Sequence, residues 1–175
     1  MALKTIFLDR DGVINEEINY LHKIKDFKFI DGVFEVCKFF EKLGYRIIII
    51  TNQSGIARGF YSENDYQNLN NWMLKKFELN GVKILDTFHC PHHPSSNCYC
   101  RKPKPGMFLE VAKIHDIDYS RSWMVGDKET DIQAANAAGI FNTILVRSGH
   151  KIDEFNSKST HIIDSIKESK NVIKK

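Results

Sequence analysis

The chain has 175 residues, 42% hydrophobic and 27% charged, with a formal charge of +3; this fits one globular domain with a real core and argues against a disordered or fibrous chain. The weak, scattered positive charge argues against a nucleic-acid reader, whose cations gather in a dense stripe. The longest apolar run, Ile47 to Ile50, is far too short for a membrane span, and the start MALKTIFLD lacks the apolar core and cleavage site of a signal peptide.

In chain order, short apolar runs alternate with amphipathic stretches. Thr5–Leu8 reads as a first strand. Val33, Val36, Cys37, Phe40 and Leu43 fall at helical spacing, and Gly44 offers a stop. Cys37, alone in that stripe, reads as a small buried hydrophobe. Residues 46–50 are β-branched and apolar on both faces, as buried parallel strands are. Ser62 resembles an N-cap before an acidic first turn, opening a helix to about residue 79. A strand is predicted over 82–88, a helix over 106–115, a strand over 123–125, a helix over 128–138 closed by Gly139, and a strand over 143–146. A last short strand near Ile162 and a lysine-rich helix complete the chain. This alternation predicts an α/β fold: a single doubly wound, mostly parallel sheet over residues 1–175, helices on both faces and right-handed crossovers.

The polar residues fall where such a sheet binds ligands. Asp9, Thr51 and Asp127 each follow a predicted strand directly or by one residue, and the crevice of an open parallel sheet lies at the carboxyl ends of its strands. Asp9 and Asp11 place two carboxylates at one strand end, one able to attack phosphorus and the other to protonate a leaving oxygen. Carboxylates also bind magnesium, which offsets repulsion between the attacking anion and a phosphate. A calcium loop does not fit, because counting from Asp9 neither the glycine at position six nor the glutamate at twelve is in place. Thr51 to Gly55 offers a hydroxyl and turn N–H groups to phosphate oxygens. Arg101, Lys102 and Lys104 cluster just before a helix, as phosphoryl-transfer cations do. Asp127 can face magnesium, with Asp131 one turn on as its partner.

Three of the four cysteines lie between positions 90 and 100, beside His89, His92 and His93. In a reducing compartment these read as metal ligands sooner than disulfides. Cys90, His92, Cys98 and Cys100 make a closed four-ligand zinc set; His89 and His93 are alternatives, but the alternation favours His92. Such a zinc is a clamp on the loop 89–102, which leads directly into Arg101 and Lys102.

Together and in this order, these motifs resemble the haloacid dehalogenase superfamily of phosphatases, from Thr5 to about Val146. The short distance from Asp11 to Thr51 leaves no room for a large inserted cap domain. Within the superfamily, TNQSGIARG, CPHHP, CRKPKPGM and MVGDKETD resemble the heptose-bisphosphate phosphatases, which implies removal of the 7-phosphate of D-glycero-D-manno-heptose 1,7-bisphosphate in making activated heptose for surface glycans. The resemblance implies Asp9 as nucleophile, Asp11 as general acid and base, Thr51 and Lys102 as phosphoryl stabilisers, and magnesium on Asp9, Asp11 and Asp127. It implies substrate contacts from Glu17, Ile18, Asn19, Tyr20, Asn52, Gln53, Ser54, Arg58, Arg101 and Lys128. The five-residue gap between His92 and Cys98 also resembles the histidinol-phosphate phosphatases, an alternative reading, whereas Arg58 suits a second phosphate. A zinc-stabilised binding module without catalysis is the alternative of another class, opposed by the intact Asp9, Asp11, Lys102 and Asp127. The expectation is thus a cytoplasmic, monomeric enzyme acting on a sugar bisphosphate, without nucleic-acid or membrane partners.

Overall fold

The computed structural model describes residues 2–174. Its strands are β1 (Thr5–Leu8), β2 (Arg46–Asn52), β3 (Ile84–Cys90), β4 (Trp123–Gly126), β5 (Asn142–Val146) and β6 (His161–Ile163). They form one six-stranded sheet in the order β3-β2-β1-β4-β5-β6, and every pairing is parallel. The helices are α1 (Val33–Lys42), α2 (Glu63–Leu79), α3 (Gly106–Ile114), α4 (Glu129–Ala137) and α5 (Ser169–Val172).

Strand periodicity sorts the core into two layers. Ile47 and Ile49 of β2 face a cluster with Val36 and Phe40 of α1 and Leu69, Met73 and Phe77 of α2. Ile48 and Ile50 face the opposite cluster, with Phe108 and Val111 of α3 and Ala134 and Ala135 of α4. Successive side chains of a strand point to opposite faces, so one apolar run serves both layers. All four isoleucines are at most 1% exposed, and each contributes about 1.5–3 kcal/mol relative to an exposed position. Among the described residues no helix is long and apolar enough to cross a membrane.

Three elements differ from expectation. β2 and β3 each run two residues further along the chain than their apolar patterns suggest, pairing Thr51 with His89 and Asn52 with Cys90. Backbone pairing, not side-chain polarity, decides where a strand ends, and the extension puts Cys90 on the sheet itself. The lysine-rich tail forms a 3₁₀ turn (Ile166–Glu168) and the single turn α5, because its buried anchors are Ile166 and Ile173, docked beside α1. Ser62 does cap α2: its hydroxyl accepts from Asp65 N–H while Asp65 Oδ2 accepts from Ser62 N–H.

The strand order changes direction between β1 and β4, because the chain fills β2 and β3 on one side of β1 before returning to β4 on the other. Asp9 follows β1 and Asp127 follows β4, so both carboxylates stand at this switch point. Asp9 N–H donates to Val125 O at 3.0 Å, which extends the ladder to the foot of the crevice.

Candidate active site

The carboxyl edge of the sheet opens into a cavity of about 410 Å³. Asp9 and Asp11 enter it from the end of β1, and Glu17, Ile18, Asn19 and Tyr20 from the loop that follows. Thr51, Asn52, Gln53, Ser54 and Arg58 come from the end of β2 and its loop. Arg101 and Lys102 come from the segment after the Cys/His loop, and Asp127, Lys128 and Asp131 from the turn between β4 and α4. At the rim, Tyr20 sits in the left-handed region (φ 58°), a conformation that non-glycine residues hold mainly where their surroundings impose it. Its ring packs edge-on against Phe60 at 4.6 Å and lies under the Arg58 guanidinium at 5.9 Å, which holds that cation at the mouth.

The floor is a buried charge cluster. Lys102 Nζ lies 3.0 Å from Asp9 Oδ1, 2.6 Å from Asp131 Oδ1 and 2.9 Å from Ile50 O. Burial works against the lysine's charge, but Asp131 and Asp9 more than offset it and hold its pKa above the ordinary value. Burial, joined by the carboxylates of Asp131, Asp127 and Asp11, lifts Asp9 well above the usual carboxylate range despite Lys102. Burial and then Asp131 raise Asp127 to about 6. One ammonium thus faces the three carboxylates of Asp9, Asp127 and Asp131, whose oxygens gather within 4.8 Å. Asp131 Oδ2 also accepts from the N–H groups of Asp127 and Lys128 at 3.1 Å each, which fixes the turn that presents Asp127.

Three side chains have partners the sequence does not reveal. The Asp11 carboxylate turns to its own loop: Oδ1 accepts from Arg10 Nη2 and Asn15 Nδ2 at 3.0 Å, and Oδ2 from Gln53 Nε2 at 3.0 Å. It stands outside the gathered metal-capable carboxylates, where Asp131 stands instead. Gln53 is 2% exposed, and its amide is consumed: Nε2 also donates to Thr51 Oγ1 at 2.9 Å, and Oε1 accepts from Tyr61 O–H at 2.6 Å. Its side chain therefore braces Asp11 and Thr51. Asn52 pairs with the Lys102 backbone in both directions, Nδ2 to Lys102 O at 3.1 Å and Lys102 N to Oδ1 at 3.2 Å. That amide clamp ties the end of β2 to the segment carrying both cations. Arg10, Asn15 and Tyr61 carry no signal in a single sequence, since their partners are fixed by loop folding alone.

Cys90, His92, Cys98 and Cys100 converge. The sulfurs lie 3.2–3.7 Å apart, and His92 Nδ1 is 3.2 Å from Cys100 and 3.6 Å from Cys90. A tetrahedron with 2.3 Å zinc–sulfur bonds has edges of about 3.8 Å, so the spacing suits one ion. Burial opposes ionisation of Cys98, but the Arg101 N–H and the neighbouring thiols hold it down to about 6, toward the thiolate that ligates metals. His89 is engaged elsewhere, its Nε2 2.8 Å from Glu63, and His93 Nδ1 bonds Ser95 Oγ at 2.7 Å.

The "HAD-hyrolase-like" family model matches residues 99–169. A D-glycero-alpha-D-manno-heptose-1,7-bisphosphate 7-phosphatase of Photorhabdus laumondii is 52% identical over 87% of this chain and 87% of its own. A D-glycero-beta-D-manno-heptose-1,7-bisphosphate 7-phosphatase of Vibrio cholerae is 46% identical over 96% of this chain and 95% of its own. The chain belongs to the heptose-bisphosphatase family of haloacid dehalogenase-like phosphatases. A solved family structure, the D,D-heptose 1,7-bisphosphate phosphatase from B. bronchiseptica with magnesium and phosphate, superposes with a TM-score of 0.82 at 30% identity, covering 94% of each chain. Membership in these phosphatases implies magnesium, and the residues fit it. The crowded carboxylates need a cation, and buried Asp127 Oδ1 has no hydrogen-bond partner among the described residues. Arg101 Nη1 is likewise buried and unpartnered among the described residues. The heptose-bisphosphatase cavity thus presents an orphaned acceptor and an orphaned donor, complementary to a cation and an anion.

Proposed function

We propose that this phosphatase removes the 7-phosphate of D-glycero-D-manno-heptose 1,7-bisphosphate by way of a phosphorylated Asp9. The observation that carries this reading is Asp9 itself: it lies on the cavity floor, ion-paired to Lys102, beneath more cations than one phosphate needs. An Asp9 carboxylate oxygen attacks phosphorus, the P–O bond to the sugar breaks, and Asp11 gives its proton to the departing oxygen, exchanging its Gln53 bond for one to that oxygen. Water then attacks the aspartyl phosphate and Asp11 takes up its proton, releasing inorganic phosphate and freeing Asp9. Lys102 and the Thr51 hydroxyl hold the phosphoryl oxygens through both steps. Asp9 and Asp127 would hold magnesium, which would supply charge neutralisation between the phosphate and the attacking carboxylate. Asp131 keeps Lys102 and the Asp127 turn in place.

The second phosphate is assigned to Arg101, Arg58 and Lys128. Arginine suits bidentate phosphate recognition, and remote binding energy orients a substrate in a site without a large cap. Arg101→Ala should lower kcat/KM on the bisphosphate by about 10- to 100-fold, the range of one or two charge-assisted hydrogen bonds. The loss on an aryl phosphate should be several-fold smaller. Phosphate release from both heptose bisphosphate anomers, histidinol phosphate and the aryl ester gives the comparison. Equal losses would confine Arg101 to the transferred group, and a preference for histidinol phosphate would replace the proposed substrate.

The Cys/His set is proposed to hold a structural zinc. All four positions are protein ligands, so the ion has no open site for chemistry and clamps the loop that delivers Arg101 and Lys102. Metal analysis should find about one zinc per chain. Cys98→Ser or Cys100→Ser should lower Tm by about 5 °C or more and reduce kcat/KM with it. A zinc-free protein of full activity and unchanged Tm would remove this assignment.

A further inference from the structure

His150 was not among the sequence-predicted residues, yet it grips the carboxylate at the centre of the site. It lies in the loop after β5, at the same carboxyl edge as Asp9 and Asp127. Asp127 Oδ2 accepts twice from this residue, from the backbone N–H at 2.9 Å and from Nδ1 at 2.6 Å. The other oxygen, Oδ1, is buried and accepts no hydrogen bond from the described residues. One carboxylate oxygen is therefore held twice by His150 while the other is left without a donor among the described residues.

The seat around Oδ2 is built to measure. A Cβ on Gly12 would fall 2.4 Å from this oxygen, and one on Gly149 2.1 Å from it. Gly12 also has φ +83°, a conformation open to glycine and rarely to other residues. Ser148 Oγ donates to Gly12 O at 2.7 Å, tying the loop of His150 to the turn after β1. On the far side of the imidazole, Nε2 lies 3.7 Å from Glu17 Oε1. The ring is thus braced between two carboxylates from separate loops.

We propose that His150 is a positioning residue for the divalent cation: its two N–H groups fix Asp127 so that the bare Oδ1 is the oxygen left for the metal. Hydrogen-bonded partners of ligating carboxylates set ligand orientation, and their loss costs about 10- to 100-fold in metal affinity. This inference rests on the reading that Asp127 is a magnesium ligand, and the test separates the two.

Magnesium chloride is titrated calorimetrically into protein freed of magnesium by desalting, at one fixed pH and without chelators that would strip the Cys/His site. His150→Ala and His150→Phe should each raise the magnesium dissociation constant about 10-fold while leaving the magnesium-free Tm within a few degrees of the parent. His150→Asn, whose amide reaches the place of Nδ1, should bind within about three-fold of the parent, because the donated bond is kept. Parent-like affinity in both Ala and Phe variants overturns the proposal, as does an Asn variant as weak as they are. Asp127→Asn is the control: parent-like magnesium binding in that variant overturns the ligand reading itself, whatever His150 does.

Discussion

Asp9→Asn should lower kcat by at least about 10⁴-fold, since loss of a catalytic nucleophile costs on that order or more. An amide oxygen is a poor nucleophile toward phosphorus, and the substitution also removes a carboxylate from the cation site. The variant should nevertheless fold. Burial and the nearby Asp131, Asp127 and Asp11 already disfavour the Asp9 charge, and Lys102 keeps Asp131 as a counter-ion at 2.6 Å. A parent-like Tm together with absent turnover distinguishes loss of chemistry from loss of structure. Magnesium with beryllium fluoride should trap a phosphate mimic bonded to Asp9 in the parent protein. Density on another residue, or residual turnover above about one part in 10³, would reassign the nucleophile.

Lys102→Met should damage both stability and catalysis, the opposite pattern. Its ammonium is buried and pairs with Asp9 and Asp131 at once. Methionine keeps much of the volume but leaves two buried carboxylates without their cation. Removing one partner of a buried pair costs about 3–5 kcal/mol, or a fall in Tm of about 6–20 °C for a domain of this size. The phosphoryl oxygens lose their fixed cation as well, so kcat should drop by about 10²–10³-fold. Part of the lost Tm should return when magnesium is added, because a bound divalent cation offsets the same carboxylates. An unchanged Tm would mean that solvent reaches the pair and that Lys102 is not structural.

The sequence by itself determined the α/β alternation, the placement of Asp9, Thr51 and Asp127 at strand ends, and the gathering of Cys90, His92, Cys98 and Cys100. Each is written in local pattern. Four isoleucines in a row serve both faces of a sheet, a carboxylate after an apolar run marks a strand's exit, and ligands of a small metal loop lie close along the chain.

The tertiary structure alone decided what those residues touch. The resemblance implies Asn52 and Gln53 as substrate contacts and both line the cavity, but only the folded chain shows that Gln53 braces Asp11 and that Asn52 clamps the Lys102 backbone across 50 positions. Asp131 rather than Asp11 joins the gathered carboxylates, because the DxD turn rotates the Asp11 side chain onto Arg10, Asn15 and Gln53. His150 is 23 residues from Asp127 and carries no motif. The one clue it offers is its place after β5, whose carboxyl end opens on the same edge. Periodicity and spacing report which face or edge a residue reaches, whereas hydrogen-bond partners depend on loop paths that have no period. That is why the chemistry of this site could be read along the chain, while the groups that hold it in place became visible only once the loops had folded together.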